Sequence, residues 1–520
     1  MRTFLVLVLT GFTFFAHSED VSVVDFGAIS DGTTLTTQAI QDAIDHCHAT
    51  GGGTVTIPQG TYLTRTIYHR SNVNLEIREG ALLLGDTIPG AFNQAIIYGE
   101  NIENASITGL GAINGQGWAK YFPKDGQRHN DVRFYRCENI RVMDVTMLNA
   151  PSWVFRILEC DGVMVRSVKV YSYVNQNNDG IDIDAKNVTV SDCIVDCEDD
   201  AMCLKSDNPD FLCENIAISN CILATNCNAI KFGTASHCGF RNIAVSNCVI
   251  RRPYGAAKIP PRSTLKGSDT DTIMEIGLAL EIVDGGFMHQ VTVTNLTMEG
   301  IQTPLFIRLG NRSSKIKDAD GNPIPGSLKN VVISNITATD ESYLHSSVTG
   351  IPGTYVENVI IRNVILHSKG GGTMLEAEAE VPEKIHRYPQ ANVIFGYSIP
   401  AYGMYVRHVK NLVMENFSFN LLKPDARPAV VMDDCHHIRL RNFDADPPGN
   451  DQALIRIMES TDITVSGYQS VQPISNFLRL EGESCADIKL TGNDFSRVEK
   501  IINYRNGADE SAIKMLSNFK

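Results

Sequence analysis

A short strand-like motif recurs through most of this 520-residue sequence and restricts the folds that it can adopt. Each copy begins with Asn, Asp or a comparable residue and continues with two apolar residues that flank a variable one. The spacing from start to start is mostly 23 to 28 residues, with longer gaps where loops are inserted. The copies read NIRVMDVTM at 139–147, GVMVRSVKV at 162–170, NVTVSDCIV at 187–195, NIAISNCIL at 215–223, NIAVSNCVI at 242–250, QVTVTNLTM at 290–298, NVVISNITA at 330–338, NVIIRNVIL at 358–366, NLVMENFSF at 411–419, HIRLRNFDA at 437–445 and DITVSGYQS at 462–470.

Strands of period 2 that recur at this spacing, with no helical pattern between them, predict a parallel β-helix. A leucine-rich repeat has a similar period, but its leucine framework is absent. We therefore predict an all-β protein, folded as a single right-handed parallel β-helix solenoid over residues 19–520. A helix that starts at about Thr37 and stops before the glycines at 51–53 is predicted to cap its N-terminal end.

The first 18 residues have the pattern of a cleavable signal peptide. Arg2 precedes an apolar run at 4–15, and Ala16-His17-Ser18 resembles a cleavage site. The run is too short to span a membrane, and no later stretch is long enough. No cysteine follows closely that could carry a lipid anchor. We predict a soluble protein that is secreted or periplasmic.

The net charge of −14 argues against nucleic acid or an anionic membrane as a partner. A local basic cleft on an acidic protein can still bind an acidic polysaccharide, so this class of partner stays open.

Thirteen cysteines in an exported chain suggest disulfides. However, Cys193, Cys221 and Cys248 recur at matching points of three repeats, which predicts a ladder of small buried side chains. A bridge remains open among five others: Cys197, Cys203, Cys213, Cys227 and Cys238. No spacing with paired histidines indicates zinc, so no metal or other cofactor is expected.

Two acidic clusters stand about 20 residues apart, in NNDGID at 177–182 and EDDAMCLKS at 198–206. Each precedes a short alternating strand, so stacked strands would bring Asp179, Asp199 and Asp200 together. Crowded carboxyl groups raise one pKa, as acid and base chemistry on a glycosidic bond requires. The alternative is that these residues merely form turns before strands.

Three insertions interrupt the repeat, at 251–276, 311–328 and 369–407, and loops of this kind build binding grooves. They combine aromatic and basic residues, which suits sugar stacking and carboxylate pairing. Ordinary solvated loops are the alternative. The basic residues of the first two are Arg251, Arg252, Lys258, Arg262, Lys266, Arg312, Lys315 and Lys317, and the third contains PEKIHRY at 382–388 and AYGMYVR at 401–407.

The sequence resembles the polygalacturonase-type glycoside hydrolases of family 28 over nearly the whole mature chain. NNDGID and EDDAMCLKS carry the resemblance most specifically. Further matching segments are VVDFGAISDG at 23–32, GGGTVTIPQGTY at 51–62, GLGAINGQG at 109–117 and NAPSW at 149–153. The resemblance implies hydrolysis of α-linked uronic acid polymers of pectin, with inversion and without a metal.

The resemblance also assigns roles to the acidic residues. Asp199 matches the general acid that protonates the leaving oxygen. Asp179 and Asp200 match the pair that holds and activates the attacking water, and Asn177 matches the family's asparagine. Because Asp199 and Asp200 are sequential, a bulge or turn is expected there.

Two departures from the family's pattern concern substrate binding. The family's Gly-His-Gly segment aligns with Cys227-Asn228-Ala229, which puts Asn228 at the histidine position. Its Arg-x-Lys strand aligns with 279–281, which puts Glu281 at the lysine position. A glutamate repels a substrate carboxylate but can accept hydrogen bonds from a neutral sugar. This favours rhamnogalacturonan, or a galacturonate linked to a neutral sugar.

Strand alternation predicts that Glu281, Lys231 and Arg308 all point outward, with the two cations beside the glutamate. They form either a charge ladder without a substrate role or a relocated clamp for a substrate carboxylate. The clamp would suit an exo-acting polygalacturonase.

Two other functions remain possible for a β-helix with this surface. A metal-dependent lyase would need a calcium-binding carboxylate cluster and a basic catalytic side chain, which these motifs do not resemble. A carbohydrate-binding protein without activity has no use for three clustered aspartates.

Overall fold

The computed structural model describes residues 20–253, 274–340, 342–449, 451–469 and 472–520. The predicted signal peptide at 1–18 lies outside these residues, as do Lys258, Arg262 and Lys266 of the first insertion. The described chain is all-β with a few short helices, which confirms the predicted class.

Strands follow one another at short intervals along the whole described chain. The first eighteen are β1 Val21–Ser22, β2 Asp31–Leu35, β3 Gly53–Ile57, β4 Gly60–Thr64, β5 Ile67–Tyr68, β6 Val73–Ile77, β7 Ala81–Gly85, β8 Ala95–Glu100, β9 Glu103–Thr108, β10 Ala112–Asn114, β11 Asn130–Tyr135, β12 Glu138–Met143, β13 Thr146–Leu148, β14 Phe155–Arg166, β15 Lys169–Ser172, β16 Ile181–Ser191, β17 Ile194–Cys197 and β18 Met202–Ser206. The others are β19 Cys213–Ser219, β20 Ile222–Thr225, β21 Asn228–Ser236, β22 Gly239–Ile250, β23 Met274–Ile282, β24 Phe287–Leu309, β25 Ser327–Asp340, β26 Ser346–Thr349, β27 Val356–Ser368, β28 Met404–Leu421, β29 Val430–Ala445, β30 Ala453–Met458, β31 Thr461–Ser466, β32 Ile474–Glu481, β33 Ile488–Thr491, β34 Val498–Arg505 and β35 Ile513–Leu516.

Every pairing between these strands is parallel, and each strand lies beside its equivalents one repeat earlier and one repeat later. The pairings form three stacked ladders, as in a parallel β-helix. The ladder that carries the acidic motifs is called the site ladder; it contains β5, β8, β11, β14, β16, β18, β21, β23, β24, β26, β28, β29, β30, β32 and β34.

The asparagines that open the repeat motif have a structural role. Asn187, Asn215 and Asn242 have φ of 56°, 57° and 55°, a left-handed conformation that asparagine tolerates better than most residues. Their side chains also hydrogen-bond from coil to coil, with Asn215 Nδ2 donating to Asn187 Oδ1 at 3.0 Å and Asn242 Nδ2 to Asn215 Oδ1 at 2.8 Å. The motif therefore marks the bends between ladders.

Alternate strand residues point inward and form a continuous core, from Val23 at one end of the described chain to Ala512 at the other. Cys193, Cys221 and Cys248 are buried in line in this core, which confirms the predicted cysteine ladder. No disulfide is formed among the described residues, so the bridge that the sequence left open among the other five cysteines is absent.

Three α-helices are described: α1 Thr37–Ala49, α2 Met374–Ala377 and α3 Ala391–Phe395. The buried side of α1 consists of Ile40, Ala43, Ile44 and Cys47, and it packs near β3, β5 and β6. No helix among the described residues is both long and apolar enough to cross a membrane.

Part of the third insertion, residues 374–401, lies on the outer face of the site ladder and is called the covering segment. Its Ala391, Ile394 and Ile399 form a second apolar cluster with outward-facing strand residues. The strand residues in this cluster include Ala279, Phe306, Tyr405 and Val431.

Candidate active site

The two acidic motifs meet on neighbouring coils of the site ladder. The amide of Gly180 donates to the carbonyl of Asp200 at 2.8 Å, and that of Ile181 to Ala201 at 3.0 Å. From there β16 and β18 run in parallel register, starting with Ile181 opposite Met202. Asp179 and Asp200 therefore occupy equivalent positions just before two adjacent strands, as the sequence predicts.

Asp199 and Asp200 lie in an irregular bend between β17 and β18, which confirms the expected turn. The backbone amide of Asp200 donates to Asp199 Oδ1 at 2.9 Å, and Asn177 Nδ2 donates to Asp199 Oδ2 at 3.3 Å. One oxygen of Asp199 lies within 4.8 Å of one oxygen of Asp200. The bend allows two sequential carboxyl groups to share one side of the ladder.

Two lysines supply positive charge to the carboxylates of Asp179, Asp199 and Asp200, which together are called the acidic group. Lys205 Nζ lies 3.1 Å from Asp179 and 3.5 Å from Asp182, and Lys231 Nζ lies 3.0 Å from Asp200. Burying a carboxylate in this way requires a nearby cation or hydrogen-bond donors.

The pKa values of Asp179 and Asp200 are pushed in opposite directions. Burial raises the pKa of Asp179 well above its ordinary value, although Lys205 opposes this. Burial acts in the same sense on Asp200. There, the charges of Lys231 and Lys205 and a hydrogen bond from Asn228 outweigh it and hold the pKa of Asp200 below its ordinary value. Asp200 is therefore the carboxyl group of this pair that stays ionised most readily.

The position of Lys231 along its strand differs from the one that the sequence predicts. It is opposite Ala279, two residues before Glu281, and its ammonium pairs with Asp200. The prediction that Lys231 flanks Glu281 across the strands is therefore wrong. Strand alternation predicts the face on which Lys231 lies but not the register of β21 against β23, which pairs Lys231 with Ala279 and Phe232 with Leu280.

Arg308 is opposite Glu281 as predicted, but its side chain turns away from it. Its guanidinium donates to Thr349 Oγ1 at 3.3 Å, to the carbonyl of Gly350 at 3.1 Å and to the carbonyl of Glu383 at 2.8 Å. Burial lowers the pKa of Arg308 to about 10. In this structure Arg308 anchors the insertion and does not reach the acidic group.

Glu281 is completely buried, and neither carboxylate oxygen has a hydrogen-bond partner among the described residues. Burial raises the pKa of Glu281 to about 8, against the nearby charge of Lys231. An outward-pointing side chain is buried here because the chain from the third insertion lies over this part of the ladder. Direct contact of Glu281 with a sugar would require that chain to move.

Sequence reasoning missed three residues of this site. Lys205 and Asp182 belong to the quoted motifs but received no role, although strand alternation could have placed both on the outer face. Arg128 lies in the loop between β10 and β11 and donates to Asn177 Oδ1 at 3.3 Å. No periodic pattern in the sequence points to this loop.

Two groups of side chains have metal-ligand spacing, with atoms within 4.8 Å of one another: Asp179, Asp182 and Cys203, and Asp199, Asp200 and Cys227. The ammonium groups of Lys205 and Lys231 already supply positive charge to these two groups. A metal ion would have to compete with them.

A row of outward-facing residues in equal register runs past the acidic group, and the surface along this row is called the groove. On the N-terminal side it is Tyr98, Arg133, Arg156 and Asp182, and on the C-terminal side Lys231, Ala279, Phe306, Ser347, Tyr405 and Val431. The covering segment packs over the second half, whereas Arg133 and Arg156 of the first half are partly exposed. The acidic group lies where the open half of the groove ends.

The group of three aspartates and two lysines on one outer face of the parallel ladders fits a glycoside hydrolase, and the comparison with protein families supports this class. Residues 47–251 match the model of the family described as Glycosyl hydrolases family 28. This segment contains Asn177, Asp179, Asp199 and Asp200. The resemblance of the chain to the polygalacturonase-type hydrolases of this family is therefore confirmed.

Individual relatives agree with this. A probable polygalacturonase of Arabidopsis thaliana is 27% identical over 346 residues, which cover 63% of this chain and 69% of the relative. A probable rhamnogalacturonase A of Aspergillus oryzae is 29% identical over 204 residues, which cover 39% of this chain and 43% of the relative. This chain thus matches less than half of the fungal protein.

A solved structure supports the fold. The family 28 exopolygalacturonase of Yersinia enterocolitica superposes with a TM-score of 0.58 at 19% identity, over 83% of this chain and 79% of that one. At this level of identity the likeness concerns the fold alone.

Proposed function

We propose that the protein is a secreted or periplasmic inverting glycoside hydrolase that cleaves α-glycosidic bonds of a pectic polysaccharide. Its scaffold is a single right-handed parallel β-helix capped by α1. The observation that carries the proposal is the meeting of Asp179, Asp199 and Asp200 at two adjacent coils, with Asn177 bonded to Asp199. The match to a glycosyl hydrolase family over this segment supports it.

In this mechanism Asp199 is the general acid. It gives its proton to the glycosidic oxygen as the bond from that oxygen to the anomeric carbon breaks. Asn177 orients the carboxyl group through its hydrogen bond to Oδ2.

Asp200 is the general base and takes a proton from water as the water oxygen bonds to the opposite face of the anomeric carbon. The charge of Lys231 keeps Asp200 ionised for this step. Asp179, held by Lys205, accepts a second hydrogen bond from the same water and fixes its position.

For the substrate we propose rhamnogalacturonan or a galacturonate linked to a neutral sugar. The similarity to a probable rhamnogalacturonase supports this, as does the absence of a free basic pair at 279–281. An exo-acting polygalacturonase is the second candidate, because the covering segment closes one half of the groove and leaves access from one side.

The test is release of reducing ends from rhamnogalacturonan, homogalacturonan and their oligomers, with Asp199→Asn as the control. Release from rhamnogalacturonan alone, abolished in the variant, would support the first candidate. Release of single sugars from homogalacturonan would support the second. Binding without release by the wild type would contradict the proposed hydrolase and favour a carbohydrate-binding protein.

A further inference from the structure

The acidic group needs help to hold a substrate that is itself negatively charged. Five carboxyl groups lie together here, those of Asp179, Asp182, Glu198, Asp199 and Asp200, and all five residues are buried. Lys205 and Lys231 pair with three of them, Asp179, Asp182 and Asp200. A uronate carboxylate that approaches this site would be repelled unless a further cation faces it.

The cations on the C-terminal side of the site are already engaged. Lys231 pairs with Asp200, and Arg308 donates to the backbone of Gly350 and Glu383. Arg312 is paired with Asp284 through two hydrogen bonds of 3.0 and 2.7 Å. None of these side chains is free to act as the clamp that the sequence suggested.

Arg128, on the opposite side of the site, differs from all of them. Its guanidinium donates only to neutral acceptors: Nη1 to the carbonyls of Gln176 at 2.6 Å and Pro151 at 3.3 Å, and Nη2 to Asn177 Oδ1 at 3.3 Å. Among the described residues no carboxylate forms an ion pair with it, although the charges of Glu198, Asp125 and Asp179 favour its protonated form. It is half-buried, so a ligand can reach it.

These hydrogen bonds use three of the five N–H groups of a guanidinium and leave two donors. Two donors on one planar group match the two oxygens of a carboxylate. Asn177 accepts from Arg128 and donates to Asp199, so a ligand held by Arg128 would lie one side chain away from the candidate acid.

We propose that Arg128 is a specificity-determining residue that binds the carboxylate of a uronic acid unit at the cleavage site. It binds the substrate carboxylate that neither Lys231 nor Arg308 is free to bind. The inference rests on the proposed function and narrows it to substrates with a free uronate next to the bond that is cleaved. The loop between β10 and β11 thus supplies a contact that the strands do not.

The open half of the groove is consistent with an acidic glycan. One coil beyond Arg156 lies Arg133, which donates to Gln94 at 2.6 Å and has no carboxylate partner among the described residues. Successive coils are about 4.8 Å apart, a length similar to that of one sugar unit. A chain held by Arg128 can therefore run along the groove past Trp153, whose ring lies beneath Arg156 at 4.3 Å.

The test compares Arg128→Gln with the wild type on one oligosaccharide in two forms, the free acid and its uncharged methyl ester. Oligomers of rhamnogalacturonan and of homogalacturonan are both assayed. We expect the variant to lose about 10- to 100-fold in kcat/KM on the acid, mostly through KM, and to keep its activity on the ester. Arg439→Gln, an exposed arginine far from the groove, should change neither value.

Equal losses on acid and ester would overturn the proposal, because they would mean that Arg128 only positions Asn177. No loss on either form would overturn it as well. Unchanged activity on the ester also shows that the variant is folded.

A binding experiment separates this inference from the proposed hydrolase. Asp199→Asn, with and without Arg128→Gln, is titrated calorimetrically with the acidic oligomers. Loss of affinity in the double variant alone would support the carboxylate site even where the wild type releases no reducing ends. Equal affinity in both would overturn it.

Discussion

The two halves of the groove share one ladder and one register but differ in what lies above them. On the N-terminal side the outward row is aromatic and basic, with Tyr98 buried and Arg133 and Arg156 partly exposed. On the C-terminal side the equivalent positions include Ala279 and Phe306, and the covering segment buries them. The strands are alike in geometry, so under the proposed function the third insertion decides where a polysaccharide can lie.

This difference also explains where the chemistry is placed. The aspartates lie at the border between the two halves, where a chain that enters along the open half must end or turn outward. We therefore expect different effects for substitutions in the acidic group at the border, in the covering segment and in the residues beneath this segment.

The largest effect is expected at the border. Asp199→Asn should lower kcat by about 10²–10⁴-fold, because the leaving oxygen loses its proton donor, whereas KM should change little. Steady-state kinetics on the best pectic substrate measure both values. The exposed Asp210→Asn serves as the matched control, and a fully active Asp199→Asn would exclude it as the acid.

In the cover, Ile394→Ala should weaken the docking of the covering segment by about 2–4 kcal/mol, since Ile394 is 1% exposed and lies in the apolar cluster. We expect proteases to cut faster within 374–401, and the first oligosaccharides released from the substrate to be longer. Leu375→Ala, in the same segment but 83% exposed, should change neither. If proteolysis is faster but the oligosaccharide products are unchanged, the covering segment does not limit access of the substrate to the groove.

Beneath the cover, Glu281→Gln should stabilise the protein above pH 4.5 by roughly 1–3 kcal/mol. The pKa of this glutamate is raised from 4.5 to about 8, so its favourable contribution is complete below pH 4.5 and is lost as the pH rises through 8. The difference in the free energy of unfolding between the variant and the wild type should therefore grow from pH 4.5 to 8, as measured by chemical denaturation. Exposed Glu499→Gln should show no such trend, and a uniform or absent gain would mean that Glu281 is paired or solvated.

The smallest effect is expected for Lys231→Ala. Loss of this charge should raise the pKa of Asp200 and move the acidic limb of the kcat/KM profile to higher pH by about one unit. KM above that limb should stay unchanged, in contrast to the effect of Arg128→Gln. A large rise in KM on the uronate substrate would instead restore Lys231 as a carboxylate clamp, and exposed Lys500→Ala is the control.

Much of this architecture follows from local pattern. The strands could be predicted because period-2 alternation separates core from surface, and their bends because asparagine favours the left-handed conformation seen at Asn187. The meeting of Asp179 with Asp199 and Asp200 also followed, since parallel coils bring equivalent positions together.

Other features depend on contacts that no local pattern encodes. The position of Lys231 relative to Glu281 was predicted wrongly because alternation does not fix the register of β21 against β23. The burial of Glu281 depends on how the third insertion packs, and the position of Arg128 depends on a loop without a repeat. These contacts join segments that are distant in sequence.

The asparagine ladder has a consequence for producing the protein in different hosts. Asn187, Asn295, Asn335 and Asn416 each begin an Asn-x-Ser/Thr sequence that a eukaryotic oligosaccharyltransferase recognises. In the folded chain the Nδ2 atom of each one donates to the side chain one coil earlier, as from Asn335 to Asn295 at 2.8 Å. A glycan attached during synthesis would replace one of the two N–H groups of that amide and place a bulky sugar on the ladder, so we expect glycosylation at these sites to weaken the stacking of adjacent coils.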